Sequence, residues 1–146
     1  ERWPAENFAL LAEKISNKYQ CGITAVGVNS ERGIIDAIAE LSSVPILNLA
    51  GRTDIAQLVA ILSSAKAVIS NDTGSAHIAA ALNVPMVLIF GFTNPKRVGP
   101  YAKPDSVAAV DGDKRSNEVE STNPLHNIKN VSVESVFELL CKQLDE

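Results

Sequence analysis

The stretch AVISNDTGSAHIAAALNVPMVLIF, residues 67–90, decides the fold. Ala67 to Ser70 is short and apolar, as buried strands are, and Ala76 to Leu82 is rich in alanine, the strongest helix former. Pro85 to Phe90 is an uninterrupted apolar run, which is typical of a strand covered on both faces. Asn83 tolerates the left-handed backbone that often ends a helix. The stretch therefore predicts a strand, a helix and a second, more deeply buried strand.

The turn inside this stretch, Asn71-Asp72-Thr73-Gly74-Ser75 followed by His77, has the chemistry of a ligand site. A helix that starts after a strand leaves its first N–H groups without helical partners, and the positive end of its dipole adds to their attraction for anions. Such a corner favours phosphate. A carboxylate, a hydroxyl and an imidazole lie within one turn, and these groups suit a polar substrate rich in hydroxyls.

Helices and strands alternate along the rest of the chain. Apolar residues recur at helical spacing in four further segments, and each predicts a helix. The first segment follows Pro4, which we place at a first helical position, and the second runs from Glu31 to Leu41 through Ile34. The third contains Ile55 and can be capped by Thr53, and the fourth follows the cap residue Ser132. Short apolar or β-branched segments predict strands at Ile23–Val28, Ile46–Leu49 and Ser106–Val110. The polar stretch Asp111–Asn130 is too long for a plain connection, so it is either mobile or reaches toward a ligand or another domain.

This alternation predicts an α/β fold with a Rossmann-like, doubly wound, mostly parallel sheet, built as one domain over residues 1–146. Ligands of such sheets bind outside the carboxyl ends of the strands, where residues 29–31, 70–77 and 91–101 are expected to converge. Neither a Gly-x-Gly-x-x-Gly fingerprint nor a Walker lysine loop is present, which argues against dinucleotide oxidoreductases and P-loop NTPases.

Composition excludes several classes of protein. A net charge of −4, without a block of Lys and Arg, argues against a nucleic-acid partner. No apolar run approaches the roughly 18 residues that span a bilayer. Cys21 and Cys141 lie far apart with no second ligand at metal spacing, so the sequence indicates no metal site and no disulfide framework, and a reducing cytoplasm is the expected compartment.

Each candidate site residue also has an ordinary structural explanation. Asp72 could simply cap the helix that follows, Thr73 and Gly74 could form a tight turn, and His77 could be a structural histidine. Glu31 follows a strand at the predicted binding edge, where a carboxylate can accept hydrogen bonds from a ribose, but it could equally be a favourable charge in a first helical turn.

The loop after the buried strand, residues 91–101, brings two cations and a tyrosine to the same edge of the sheet. We interpret it as a candidate substrate loop, with a proline-stiffened surface loop as the equally good alternative. Its candidate binding residues are Gly91, Thr93, Arg97 and Tyr101. Elsewhere the sequence singles out no Ser/His/Asp or Cys/His pair, so chemistry on this chain alone looks incomplete.

Five segments stand in a fixed order along the chain: Arg2-Trp3-Pro4, Gly27 with Glu31, Leu49-Ala50-Gly51-Arg52-Thr53, Asn71-Asp72-Thr73-Gly74 with His77, and Phe90-Gly91 through Gly99-Pro100-Tyr101. In this order and spacing they resemble the motifs of glycosyltransferase family 9, the lipopolysaccharide heptosyltransferase family, over nearly the whole chain. One such motif is weak, whereas five in order are specific.

The resemblance implies the C-terminal, donor-binding half of a two-domain GT-B enzyme. Such an enzyme transfers heptose from ADP-L-glycero-β-D-manno-heptose to the lipopolysaccharide core, by an inverting reaction that uses neither a metal nor another cofactor. Carried over by position, Asp72, Thr73, Gly74 and His77 meet the diphosphate and the heptose, and Glu31 meets the ribose. The general base is an aspartate of the N-terminal half, so no catalytic residue is expected in this chain.

The chain opens Glu1-Arg2-Trp3-Pro4 without a methionine, and we interpret it as a fragment that lacks the N-terminal acceptor domain and the first strand of its own domain. The fragment alone is expected to be inactive. The resemblance implies a cytoplasmic protein without a transmembrane segment, and peripheral association with the inner face of the inner membrane is compatible with it. Two alternatives stay open: a GT-B transferase for another sugar nucleotide, and a non-catalytic nucleotide-binding or interaction module.

Overall fold

The computed structural model describes residues 2–71, 74–89, 107–108 and 127–145. Within these ranges, the structure has five α-helices, five short strands and two 3₁₀ turns. In chain order they are α1 (Ala5–Tyr19), β1 (Ile23–Ala25), a 3₁₀ turn (Asn29–Glu31), α2 (Arg32–Leu41), β2 (Ile46–Asn48), α3 (Ile55–Ser64), β3 (Val68–Asn71), α4 (Gly74–Ala81), β4 (Met86–Ile89), β5 (Val107–Ala108), a 3₁₀ turn (Ile128–Asn130) and α5 (Val133–Leu144).

The chain divides into two compact units, one comprising Pro4–Ile61 and the other Glu1–Trp3 with Leu62–Glu146. The expectation of one domain over residues 1–146 stays a prediction. None of the helices in the described ranges combines the length and the apolar character needed to cross a membrane.

In the unit Pro4–Ile61, β1 and β2 pair in parallel, with Ile23 opposite Ile46 and Ala25 opposite Asn48. Parallel neighbours need a crossover, which α2 supplies, and α1 packs against α2. The buried stripe of α1 consists of Ala9, Leu11, Ala12 and Ile15, at the helical spacing read from the sequence. The unit is thus a small parallel sheet with its connecting helices.

In the other unit, β3, β4 and β5 form a parallel sheet with β4 in the centre. Every residue of β4 is buried, as its unbroken apolar run predicts. Met86 and Leu88 pack with Ala76 and Ala79 of α4, whose small side chains let helix and sheet approach closely, and with Val84. The predicted left-handed residue is confirmed, since Asn83 has φ 57°.

Helix α5 is held to β4 by a pair of hydrogen bonds. Met86 N donates to Gln143 Oε1 at 3.0 Å, and Gln143 Nε2 donates to Met86 O at 2.7 Å. The carboxamide thereby occupies the backbone groups that a neighbouring strand would use. The predicted cap of α5 is also confirmed, because Ser132 Oγ accepts from Ser135 N at 3.1 Å.

Several local predictions are wrong in ways that have a physical reason. Pro4 lies outside α1, since its ψ of 144° is extended, and its carbonyl accepts from Asn7 and Phe8 at the helix start. The cap of α3 is Asp54 rather than Thr53. Asp54 Oδ1 accepts from Gln57 N at 2.7 Å while Gln57 Oε1 accepts from Asp54 N at 2.9 Å, a reciprocal capping box.

Two residues that belong to the apolar helical spacing of the sequence are exposed. Ile55 keeps 72% of its surface accessible and Ile34 keeps 42%. Their helices bury other apolar residues instead, Ile35 in α2 and Leu62 in α3. The first strand is shorter than predicted as well: it ends at Ala25, although the hydrogen bond from Gly51 N to Gly27 O continues the contact with the segment after β2.

The polar stretch Asp111–Asn130 is described only from Asn127 onward. Here the 3₁₀ turn buries Ile128, and Val131 directly after it is also buried. Trp3, 2% exposed, donates from Nε1 to Val131 O at 2.8 Å. This end of the stretch is therefore packed into its unit.

Candidate functional site

Glu31 lies in a 3₁₀ turn that starts directly after the loop leaving β1. Its backbone N–H donates to Val28 O at 2.9 Å, and its carboxylate oxygen Oε1 accepts from Val28 N at 3.0 Å. The two bonds close the turn on itself and hold the half-buried carboxylate at the carboxyl end of the strand. A carboxylate accepts about four hydrogen bonds, and such a group suits recognition of ligand hydroxyls.

Gly27 leaves the space that this carboxylate occupies. A Cβ placed on Gly27 would lie 2.7 Å from Glu31 Oε1 and 3.2 Å from Glu31 Cδ, closer than van der Waals contact permits. The glycine of the Gly-x-x-x-Glu segment is therefore in contact with the acidic group of the same segment.

The turn after β2 packs on the Glu31 turn. Gly51 N donates to Gly27 O at 2.8 Å, and Gly51 has φ 71°, in the region that glycine adopts without strain. A Cβ on Gly51 would meet the Cα, Cβ and Oδ1 atoms of Asn29, each at 2.8 Å. Glycine at position 51 thus lets the two strand-end loops approach each other closely.

A hydrogen-bonded network that the sequence reading missed supports these loops. Asn48, the last residue of β2, donates from Nδ2 to Arg32 O at 3.1 Å and to Asp36 Oδ1 at 2.7 Å. Its Oδ1 accepts from Ala50 N at 3.0 Å, and Arg32 Nη1 donates to Ala50 O at 3.1 Å. The only signal in the sequence was an Asn at a predicted strand end, a position where its amide often bonds to the nearby backbone.

In the other unit, β3 ends at Asn71 and α4 begins at Gly74. His77 is exposed and stands three residues after Gly74, so the two share one edge of the helix at its positive end. Ser70 Oγ donates to Asn71 O at 2.6 Å, while Asn71 Oδ1 is buried without a hydrogen-bond partner. The predicted strand-to-helix junction is therefore present, with the imidazole accessible to a ligand at the helix start.

The remaining predicted site residues lie outside the described residues. These are Asp72 and Thr73 of the junction, and Gly91, Thr93, Arg97 and Tyr101 of the candidate substrate loop. Their convergence with Glu31 and His77 stays a prediction. Within the described ranges, no group of three His, Cys, Asp or Glu side chains could hold a metal ion.

Residues 1–129 match the family model for glycosyltransferase family 9 (heptosyltransferase). The lipooligosaccharide heptosyltransferase 2 of Haemophilus ducreyi is 38% identical over 109 residues, which cover 70% of this chain and 31% of that protein. The lipopolysaccharide heptosyltransferase 2 of Salmonella typhimurium is 33% identical over 105 residues, covering 70% of this chain and 30% of that protein.

The solved structure of E. coli ADP-heptose lps heptosyltransferase II aligns with a TM-score of 0.79 at 25% identity, over 98% of this chain and 42% of the solved one. A glycosyltransferase of family 9 from Veillonella parvula aligns with a TM-score of 0.74 at 20% identity, over 97% of this chain and 42% of the solved one, and supports the fold alone. These alignments confirm the predicted fold class, a Rossmann-like α/β part of a GT-B glycosyltransferase.

The chain spans about a third of the length of the curated relatives it matches. The match to the family model nevertheless extends over most of the 146 residues, and it includes all five motif segments. The chain therefore belongs to glycosyltransferase family 9 (heptosyltransferase).

Proposed function

We propose that this chain is the donor-binding part of an inverting, metal-independent glycosyltransferase that moves heptose from ADP-heptose to the lipopolysaccharide core. The observation that carries the proposal is membership of glycosyltransferase family 9, together with relatives named as lipopolysaccharide or lipooligosaccharide heptosyltransferases. The strand-end carboxylate of Glu31 and the exposed His77 at the start of α4 supply groups of the kind that a sugar nucleotide needs.

In the proposed reaction, an acceptor hydroxyl oxygen attacks the anomeric carbon of the heptose. The bond from that carbon to the β-phosphate oxygen breaks, ADP leaves, and the hydroxyl proton passes to a general base outside this chain. Negative charge develops on the departing diphosphate. The N–H groups and positive dipole at the start of α4 can stabilise that charge, which is the task a metal ion performs in other transferases.

We assign the roles of individual residues from their match to the family motifs. Asp72, Thr73, Gly74 and His77 hold the diphosphate and heptose, and Glu31 accepts from the ribose hydroxyls. The residues of the 91–101 loop contact the substrate. The acceptor is the lipopolysaccharide core, which a further domain of the protein binds, at the cytoplasmic face of the inner membrane.

Titration calorimetry tests the choice of nucleotide. We expect the protein, purified as the cell makes it, to bind ADP more tightly than UDP or GDP. We also expect heptosyl transfer to continue in the presence of EDTA. A clear preference for UDP would contradict the heptose assignment and favour another sugar nucleotide. Binding of ADP without any transfer would favour a non-catalytic module.

The substitution Asp72→Ala separates ligand binding from helix capping. Loss of an N-cap costs about 1 kcal/mol of stability. We therefore expect transfer to fall far more than the urea midpoint does. Parallel loss of transfer and stability would indicate that Asp72 only caps α4.

A further inference from the structure

We propose that Gly27 is a positioning residue, whose missing side chain sets where the Glu31 carboxylate lies for nucleotide binding. The inference rests on the proposed role of Glu31 as the ribose acceptor. Its basis is steric: the three heavy atoms nearest to a Cβ on Gly27 are Oε1, Cδ and Cβ of Glu31, at 2.7, 3.2 and 3.5 Å.

Backbone conformation does not explain the glycine at this position. Among the described glycines, Gly51 is the one with a positive φ, so the backbone at Gly27 is one that alanine can adopt. The obstacle to alanine is steric, because its Cβ would first meet Oε1 at the end of the flexible Glu31 side chain. The Glu31 side chain can therefore rotate away while the fold persists.

Such a rotation would break a contact that orients the carboxylate. Glu31 Oε1 lies 3.0 Å from Val28 N, and the Gly27 Cβ would stand within contact distance of the same oxygen. A displaced carboxylate loses the Val28 N–H and adopts other rotamers. The Glu31 carboxylate is then mobile instead of oriented. Binding of the ligand has to fix its rotamer again, which costs conformational entropy.

The other glycines of this unit provide contrasts. Gly33, in the first turn of α2, has nothing within 4 Å of its would-be Cβ, so Gly33→Ala is a matched control in the same segment. Gly51 would meet the backbone Cα of Asn29 and has a positive φ, so Gly51→Ala should lower both stability and binding.

The test is a double-mutant cycle on the protein as the cell makes it, with ADP as the calorimetric probe. We expect Glu31→Ala and Gly27→Ala each to weaken ADP binding about tenfold. We expect Gly27→Ala to add nothing in the Glu31→Ala background, and Gly33→Ala to leave the affinity unchanged. Additive effects, or an unchanged affinity in Gly27→Ala when Glu31→Ala weakens binding, would overturn the inference and leave the proposed function standing.

A second readout needs no ligand. Amide hydrogen exchange at Val28 should accelerate in Gly27→Ala as it does in Glu31→Ala, because both remove the same acceptor. If Glu31→Ala leaves ADP binding intact, the ribose assignment fails, and the exchange rate still decides whether Gly27 positions the carboxylate. If Gly27→Ala lowers stability, the added Glu31→Ala should restore it, and failure to do so would show that the clash lies elsewhere.

Discussion

Asn48 offers a sharp test of how the turns at the carboxyl ends of β1 and β2 are held. Truncation to alanine removes the acceptor of Ala50 N, and Ala50 is fully buried. A buried donor left without a partner costs about 1–3 kcal/mol. The two bonds from Asn48 Nδ2 add less, because water can replace the exposed Asp36 carboxylate. We expect Asn48→Ala to lower the free energy of unfolding by about 2–4 kcal/mol.

Asn48→Asp separates the roles of the two ends of the amide. Aspartate still accepts from Ala50 N, but it places a carboxylate against Asp36 Oδ1, which lies 2.7 Å from Asn48 Nδ2. Repulsion between these exposed charges should weaken with added salt. Asp36→Asn should therefore partly rescue Asn48→Asp and leave Asn48→Ala unchanged.

The assay combines urea unfolding with amide hydrogen exchange at Ala50 and Gly51, measured with and without ADP. Loosening of the turn should speed exchange at Ala50 and weaken ADP binding, since Gly51 packs on the Glu31 turn. The reasoning is refuted if Asn48→Ala changes the unfolding free energy by less than about 0.5 kcal/mol, the range of neutral surface substitutions. It is also refuted if Asp36→Asn affects both Asn48 variants equally.

Three further substitutions test other contacts. Gln143→Ala removes the hydrogen-bond partners of Met86 N and O, and it should lower the free energy of unfolding in urea by about 2–4 kcal/mol. The control Glu138→Ala changes an exposed side chain and should leave that free energy almost unchanged. Equal effects of the two substitutions would contradict a role for the carboxamide. Asp54→Ala should lower the free energy of unfolding by about 1 kcal/mol, because it removes the capping box. A larger loss of stability in Thr53→Ala would show that Thr53 is the cap. His77→Ala should keep the thermal midpoint, since the side chain is exposed, yet weaken binding of ADP-heptose in calorimetry; unchanged affinity would remove His77 from the site.

Much of the fold could be predicted from local pattern. The unbroken apolar run ending at Phe90 predicted the buried centre of a sheet, and β4 is that strand. Asn83 and Ser132 were recognisable as helix-boundary residues because their side chains favour those backbone states locally. The junction from β3 to α4 was equally readable, because a short apolar segment gives way there to an alanine-rich one.

What pattern could not supply is the choice between neighbours of similar chemistry. Thr53 and Asp54 both can cap a helix, and the reciprocal bonds with Gln57 decide for Asp54. Ile55 fits an apolar stripe by spacing, yet its turn precedes the point at which α3 becomes buried. These outcomes depend on the angle at which a helix meets its surroundings, and periodicity does not report that angle.

The sequence by itself determined the order of helices and strands, the parallel fold, the family and the positions of the candidate site residues, because burial periodicity and short motifs are local properties. Tertiary structure alone decided what holds those residues in place. Asn48 reaches Arg32 across 16 positions, Gln143 reaches Met86 across 57, and Trp3 reaches Val131 across 128. Hydrogen bonds of this kind, like the close approach of Gly51 to Asn29, arise when segments far apart in the sequence meet within a few ångströms, and no local pattern encodes that distance.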